Sequence, residues 1–145
     1  MKERHKTNSA VFLILLRKIK GKNQILLQFR QNTGYMDNMW DMAVNGHIEN
    51  GERLEDALIR ETKEEIGIDV NKSSLELITF DHKEKENYYN FFFICNEFKG
   101  TPTITEQNKC AKLEWFDIDN LPDNLIEHDK KAINRLQSQK NYEIK

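Results

Sequence analysis

The sequence has little cysteine, little proline and no long apolar run, and each shortage excludes a class of protein. Only two of its 145 residues are cysteine and two are proline. Cys95 and Cys110 form no Cys-x-x-Cys pair, which fits a reducing compartment better than a disulfide scaffold. The longest apolar run, residues 10–16, is too short to cross a bilayer, and the charged N-terminus lacks the features of a signal peptide. These absences predict a cytoplasmic protein.

Charge of one sign is lacking too. The 22 Lys and Arg residues nearly balance the 24 Asp and Glu residues, giving a formal net charge of -2. This balance offers no electrostatic reason to expect binding to nucleic acid or to a membrane. A content of 38% hydrophobic residues is typical of a folded globular chain, and the length favours a single domain over residues 1–145.

Apolar periodicity predicts strands first, then a helix, then strands and a final helix. Runs rich in β-branched and aromatic residues predict strands at 10–16, 24–30, 40–44, 75–80, 88–98 and 111–116. Helical spacing of apolar residues predicts helices over 53–66, with Gly67 as its stop, and near the C-terminus, where Ile126 to Leu136 form an apolar stripe. This order indicates an α+β fold with helices packed on a sheet.

The helix predicted over 53–66 carries an unusual group of carboxylates. At 100° per residue, Glu61, Glu64 and Glu65 continue the side of the helix that Leu54 and Leu58 make apolar. The ordinary alternative is a solvated face stabilised by pairs with lysine. Carboxylates grouped beside an apolar stripe repel one another and lose hydration, which a bound cation would offset. All-oxygen ligands favour Mg²⁺, Mn²⁺ or Ca²⁺, and the scattered histidines do not have zinc-ligand spacing.

The same residues belong to a longer pattern. Gly46-x5-Glu52-x7-Arg60-Glu61-x2-Glu64-Glu65-x-Gly67 resembles the Nudix box of MutT-type Nudix hydrolases, which here runs from Gly46 to Ile68. The resemblance implies a Nudix-type α/β/α sandwich, in which the box helix and a C-terminal helix pack on a mixed central sheet.

The resemblance also implies roles for individual residues. Glu61, Glu64 and Glu65 match the metal ligands, and Glu61 and Glu64 are the candidate catalytic residues. Glu52 and Arg60 match a structural pair, and Gly67 closes the motif. Gly46 would allow close backbone approach to substrate, and the backbone carbonyl of Asn45 is a candidate metal ligand.

Three candidates lie outside the box. Arg30 ends a strand where the family often has a phosphate-contacting arginine, although a solvated strand end is an open alternative. Trp40 could stack on a base, but a buried aromatic residue is the simpler interpretation. Glu106 could add a carboxylate for the metal or the base, or be a surface residue. For Asp129, capping of the last helix is the simpler account.

The expected function is Mg²⁺- or Mn²⁺-dependent hydrolysis of a phosphoanhydride bond in a nucleoside diphosphate linked to another group. The substrate could be a (d)NTP or an oxidised dNTP, giving NMP and pyrophosphate. The alternatives are an ADP-ribose or nucleotide-sugar pyrophosphatase, and a Nudix-fold nucleotide sensor without turnover. An isoprenoid diphosphate isomerase is disfavoured because residues 31–45 contain no cysteine. The expected partner is a small nucleotide. A homodimer is an alternative to a monomer, because dimers are the commonest oligomers of soluble proteins.

Overall fold

A computed structural model describes residues 2–139 and contains seven strands and two α-helices in that range. The strands are β1 (Asn8–Ile19), β2 (Lys22–Arg30), β3 (Trp40–Met42), β4 (Val44–His47), β5 (Glu76–Lys83), β6 (Tyr88–Cys95) and β7 (Cys110–Asp117). The helices are α1 (Leu54–Ile66) and α2 (Glu127–Gln137), with a short 3-10 helix at Lys72–Ser74. Neither α-helix in this range is long and apolar enough to span a bilayer. Residues 1 and 140–145, the ends of the predicted domain, lie outside the described residues.

All seven strands belong to one mixed sheet. Its main order is β3-β2-β1-β6-β5, with β4 paired to β1 and β7 paired to β2. β1 and β6 run parallel, whereas β1 pairs antiparallel with β4 along its first half and with β2 along its second half. β1 therefore links two parts of the sheet, and β4 contacts α1.

The strand β1 divides the apolar core between the two faces of the sheet. Its side chains alternate, since successive residues of a strand point to opposite faces. Phe12 and Ile14 join the core beneath α2, whereas Leu13 and Leu15 join the core beneath α1. Both cores are continuous from strand to helix, so the expected α/β/α sandwich is confirmed.

Two boundaries differ from the sequence prediction. The strand predicted at 40–44 is interrupted at Ala43, which separates β3 from β4. Asn45 and Gly46, which lie beyond the end of the strand predicted at 40–44, belong to β4 because they pair with Phe12 and Val11 of β1. This pairing partner is 33 to 35 residues away, so local turn propensity alone does not reveal it.

The helix α1 begins and ends almost where the sequence predicts. Arg53 is its N-cap and makes no side-chain capping hydrogen bond. Gly67 ends it in the left-handed conformation, with φ of 70°, and its N–H donates to the carbonyl of Lys63. Such a C-terminal glycine suits this conformation because it has no Cβ. The buried side of the helix comprises Ala57, Leu58, Thr62 and Ile66.

Candidate active site

The strand β4 and the helix α1 meet at Gly46 and Glu61. A Cβ atom added to Gly46 would lie 2.3 Å from Cδ of Glu61 and 2.6 Å from its Oε1. A side chain at this position would therefore require the Glu61 side chain to move. In the structure, the group beside Gly46 is the carboxylate of Glu61, whereas the resemblance implied close approach of the Gly46 backbone to a substrate.

Arg60 organises the acidic residues around it. Its Nε and Nη2 each donate to a carboxylate oxygen of Glu52 at 2.9 Å, and Nη2 also donates to the His47 carbonyl at 3.2 Å. Its Nη1 donates to Glu61 at 2.9 Å and to Glu64 at 3.3 Å. The guanidinium lowers the pKa of Glu52 to about 2, and the carboxylates raise the pKa of Arg60. The structure therefore brings Glu52 and Arg60 together, in the contact expected of a structural pair.

The three box glutamates differ in their environments. Burial is the first cause that raises the pKa of Glu65, to about 9, and the negative charges of Glu61 and Glu106 raise it further. The N–H of Asn45 donates to Glu65 Oε2 at 3.2 Å. Burial also raises the pKa of Glu61. The Glu64 side chain is 57% exposed, whereas Glu61 and Glu65 are partly buried. Of the three glutamates, only Glu61 and Glu65 therefore lie on the buried side of α1, as the helical wheel predicts.

The loop before β7 carries Glu106 to this site. Its backbone covers the end of α1: the N–H of Thr103 donates to the Ile66 carbonyl at 3.0 Å, and Oγ1 of Thr105 donates to the Glu65 carbonyl at 2.8 Å. These contacts satisfy carbonyls that the helix end leaves without partners. Glu106 follows directly and lies close enough for its charge to raise the pKa of Glu65.

Arg30 lines the same cleft as Glu65 and Glu106 and is held by two hydrogen bonds. Its Nη1 donates to Asp41 Oδ2 at 2.9 Å and its Nε donates to the Tyr35 carbonyl at 2.9 Å. The same oxygen of Asp41 accepts a hydrogen bond from Asn45 Nδ2 at 2.9 Å. The Arg30 side chain is 14% exposed. It therefore remains accessible to a ligand while its direction is fixed.

These groups line one cleft. Its lining residues are Gln28, Arg30, Asn32, Thr33, Ala43, Asn45, Glu65, Ile66, Ile104, Glu106, Lys109 and Cys110. The lining contains two carboxyl side chains, Glu65 and Glu106, and two cationic ones, Arg30 and Lys109. The arrangement can hold a cation beside an anionic group.

Trp40 does not lie in this cleft. It is 8% exposed and belongs to the core beneath α2. Its ring contacts Phe29, with centroids 5.2 Å apart, and Phe116, at 4.8 Å. Since these neighbours cover the ring, the suggestion that Trp40 stacks on a base is corrected to the simpler alternative, a core aromatic residue.

Asp129 is not a helix cap. The N-cap of α2 is Ile126, and Asp129 is a fully buried residue within the helix whose Oδ2 accepts from the Met42 N–H at 3.1 Å. Asp41, His128 and Asp129 bring ligand atoms within 4.8 Å of one another, the one group of three found among residues 2–139. Asp41 is committed to Arg30 and Asn45, so this group is an extension of the Arg30 network.

Sequence reasoning missed Asp41 and Thr105, both of which position candidate site residues. A polar residue flanked by Trp40 and Met42 in an apolar strand is the one signal that could have marked Asp41. Thr105 carries no comparable signal because threonine is common in loops.

The carboxyl groups in and beside the cleft are of the kind that a hard divalent cation accepts as ligands. Glu65 and Glu106 line the cleft, and Glu61 lies near enough for its charge to raise the pKa of Glu65, but among residues 2–139 these glutamates do not bring three ligand atoms within 4.8 Å of one another. The raised pKa of Glu65 reflects crowded negative charge that a cation would offset. The donor set is therefore consistent with such an ion.

A match to a known family profile identifies the family of the chain. The profile of the NUDIX domain matches residues 6–136, which is most of the chain and includes both helices. The chain belongs to the NUDIX family. The NUDIX resemblance found in residues 46–68 is thereby confirmed, and the family accounts for the sheet, for the box helix and for the helix that covers the second face.

Curated NUDIX relatives are named for several activities. The chain is 30% identical to the uncharacterised Nudix hydrolase YvcI of Bacillus subtilis over 87 residues, 57% of this chain and 54% of YvcI. It is 31% identical to an ADP-ribose pyrophosphatase of Methanocaldococcus jannaschii over 114 residues, 77% of this chain and 65% of that protein. It is 34% identical to an 8-oxo-dGTP diphosphatase of Proteus vulgaris over 82 residues, 56% of this chain and 71% of that protein. The chain thus spans about half to two thirds of the first two relatives.

A solved NUDIX structure has the same fold. The MutT NUDIX hydrolase from Burkholderia pseudomallei superposes with a TM-score of 0.75 and 22% identity, covering 90% of this chain and 98% of that one. The similarity concerns the arrangement of sheet and helices, which confirms the predicted architecture.

Proposed function

We propose that this NUDIX protein is a Mg²⁺- or Mn²⁺-dependent pyrophosphohydrolase that acts on a nucleoside diphosphate joined to another group. The observation that carries the proposal is that Glu65, Glu106 and Arg30 line the same cleft. Unpaired Cys95 and Cys110 support a cytoplasmic location.

The residues would divide the work between charge and proton transfer. When bound, a divalent ion neutralises phosphate charge and acidifies a water. Glu61, Glu64 and Glu65, with Glu106, would hold that ion, assisted by the Asn45 carbonyl. Glu61 would accept the proton of the attacking water, and Arg30 would bind the phosphate oxygens.

The reaction balances as a hydrolysis. The water oxygen forms a bond to one phosphorus while the bridging P–O bond breaks, and the leaving phosphate keeps the electron pair. A nucleoside triphosphate would give NMP and pyrophosphate, whereas ADP-ribose would give AMP and ribose 5-phosphate.

Two substrate classes are to be tested together. The sequence favours a (d)NTP or oxidised dNTP, because Lys83 and Glu84 occupy the region where ADP-ribose members often carry proline. The relative matched over 77% of this chain is an ADP-ribose pyrophosphatase, which supports that class as the second candidate.

A substrate screen tests the proposal. Nucleoside triphosphates, 8-oxo-dGTP, ADP-ribose, nucleotide sugars and dinucleoside polyphosphates are incubated with Mg²⁺, Mn²⁺, Zn²⁺ or EDTA, and products are separated by chromatography. We expect one class to be cleaved far faster than the others, with Mg²⁺ or Mn²⁺ and not with EDTA. Nucleotide binding without cleavage would favour the sensor alternative, and turnover with Zn²⁺ alone would contradict the all-oxygen site.

A further inference from the structure

Asp41 connects two residues that lie on different strands of the cleft. Its Oδ2 accepts hydrogen bonds from Arg30 Nη1 on β2 and from Asn45 Nδ2 on β4, both at 2.9 Å. Its Oδ1 accepts from the N–H of Met42 at 2.8 Å. Asp41 itself is 2% exposed and does not line the cleft. It therefore acts on the cleft only through the side chains that it holds.

The hydrogen bonds leave one part of the Arg30 guanidinium available. Nε is bound to the Tyr35 carbonyl and Nη1 to Asp41, whereas Nη2 donates no hydrogen bond to any residue in the range 2–139. A guanidinium fixed at two nitrogens keeps its plane, so the remaining N–H groups have a defined direction. That direction would otherwise be averaged over the rotamers of a long side chain.

At position 41, a neutral side chain would cost less free energy to bury than an aspartate. Asp129 lies next to Asp41, and burial together with this second carboxyl raises the pKa of Asp41. Asparagine would carry one oxygen and would direct its NH₂ group at one of the surrounding donors. Only a carboxylate can accept hydrogen bonds from Arg30, Asn45 and Met42 together.

We propose that Asp41 is a positioning residue, which aligns Arg30 for a substrate's phosphate and Asn45 for the metal-binding end of the cleft. This inference rests on the proposed function, because it assumes that Arg30 binds phosphate. It assigns the role to a residue outside the Nudix box that touches neither metal nor substrate.

A double-mutant cycle between Asp41→Asn and Arg30→Gln tests the proposal. Inorganic pyrophosphate with Mg²⁺ is the probe, its Kd is measured by calorimetry, and melting temperatures are recorded for each variant. We expect Asp41→Asn to raise the Kd about tenfold in the natural protein and less than twofold in Arg30→Gln, since residues in one network are not additive. Asp117→Asn is the control. Asp117 also accepts a hydrogen bond from a β2 residue, Gln24, but it does not line the cleft. The Kd of this variant for pyrophosphate should therefore equal that of the natural protein.

Equal effects of Asp41→Asn in both backgrounds, or a lower melting temperature with an unchanged Kd, would overturn the positioning role. If Asp41→Asn does not fold, NMR of the unmodified protein supplies the test. Resolved, slowly rotating Nη–H signals of Arg30 support the proposal, and averaged signals contradict it.

The outcomes for the two proposals are separable. Coupling between Asp41 and Arg30 in a protein that cleaves no nucleotide would refute the hydrolase and retain the positioning role. Cleavage without coupling would refute the positioning role alone. Absence of pyrophosphate binding in the natural protein would refute phosphate binding by Arg30 and, with it, the inference.

Discussion

Gly46 of β4 lies so close to Glu61 of α1 that a Cβ atom on the glycine would lie 2.3 Å from the glutamate Cδ. The atoms that it would meet belong to a side chain, so the glutamate could rotate away without moving the backbone. Rotation would also break the 2.9 Å contact between Glu61 and Arg60. A single added methyl group should therefore displace a candidate catalytic carboxylate with little effect on the stability of the fold.

We therefore predict that Gly46→Ala lowers kcat by about 100-fold, because displacing a reacting group by about 1 Å has that order of effect. The free energy of unfolding should change by less than about 1 kcal/mol, since the clash is relieved by a flexible side chain. Steady-state kinetics and thermal unfolding measure both. Glu61→Gln is the reference, and a Gly46→Ala variant with full activity would show that the position of Glu61 is unimportant.

Replacement of the other two box glutamates tests the metal site. We expect Glu64→Gln and Glu65→Gln each to remove most metal-dependent activity with little loss of folding. Glu65→Gln should also raise the metal-free melting temperature at neutral pH, because it removes a carboxyl whose pKa is raised by burial. Asp56→Asn is the control on the same helix, where Asp56 pairs with Lys72 at 2.9 Å. Full activity in both glutamine variants would refute the site.

The fold and the box were predictable because their signals are local. The continuous apolar run of β1, the helical spacing of α1 and the stop at Gly67 are each contained within a short segment. Short-range patterns of this kind follow from backbone geometry alone. The resemblance to the Nudix box implied a pair between Glu52 and Arg60, which the structure joins at 2.9 Å.

The missed features depend on residues far apart in the sequence. Asp129 accepts a hydrogen bond from the N–H of Met42, which lies 87 residues earlier in the sequence. An aspartate near the start of a predicted helix suggested a cap, and its contact with Met42 could not be predicted from the neighbouring residues. Thr105 binds α1 carbonyls 40 residues earlier. Nothing in either local segment specifies these partners, because tertiary packing selects them.

The loop contact of Thr105 gives the next prediction. Thr105→Ala removes the hydroxyl that donates to the Glu65 carbonyl, so that only the backbone N–H groups of Thr103 and Thr105 hold the segment that carries Glu106 on α1. We expect a five- to tenfold weaker apparent Mg²⁺ affinity, an order of magnitude consistent with loss of one supporting hydrogen bond. Thr105→Ser keeps the hydroxyl and should retain the natural Mg²⁺ dependence. A serine variant as impaired as the alanine variant would assign the effect to the methyl group instead.

Replacement of Asp129 tests the cost of the buried carboxyl pair. Burial raises the pKa of Asp129 from its ordinary value of 3.8 to about 6, and its Oδ1 has no hydrogen-bond partner in the described part of the chain. A carboxyl whose pKa is raised by folding destabilises the protein once it ionises, so this loss grows as the pH rises from about 4 through 6. Asp129→Asn keeps an oxygen for the Met42 N–H and removes the ionisation. We expect it to match the natural protein near pH 4 and to be more stable by about 3 kcal/mol well above pH 6.

Thermal unfolding between pH 4 and pH 8 measures this difference. The neighbouring groups are Asp41, whose pKa is also raised by burial, and His128, whose pKa burial lowers, so neither adds a compensating positive charge above pH 6. Arg30 pairs with Asp41 in both proteins. The natural protein and the variant should therefore diverge steadily as the pH rises. A variant less stable than the natural protein at pH 8 would mean that ionised Asp129 stabilises the fold, through His128 or a bound cation.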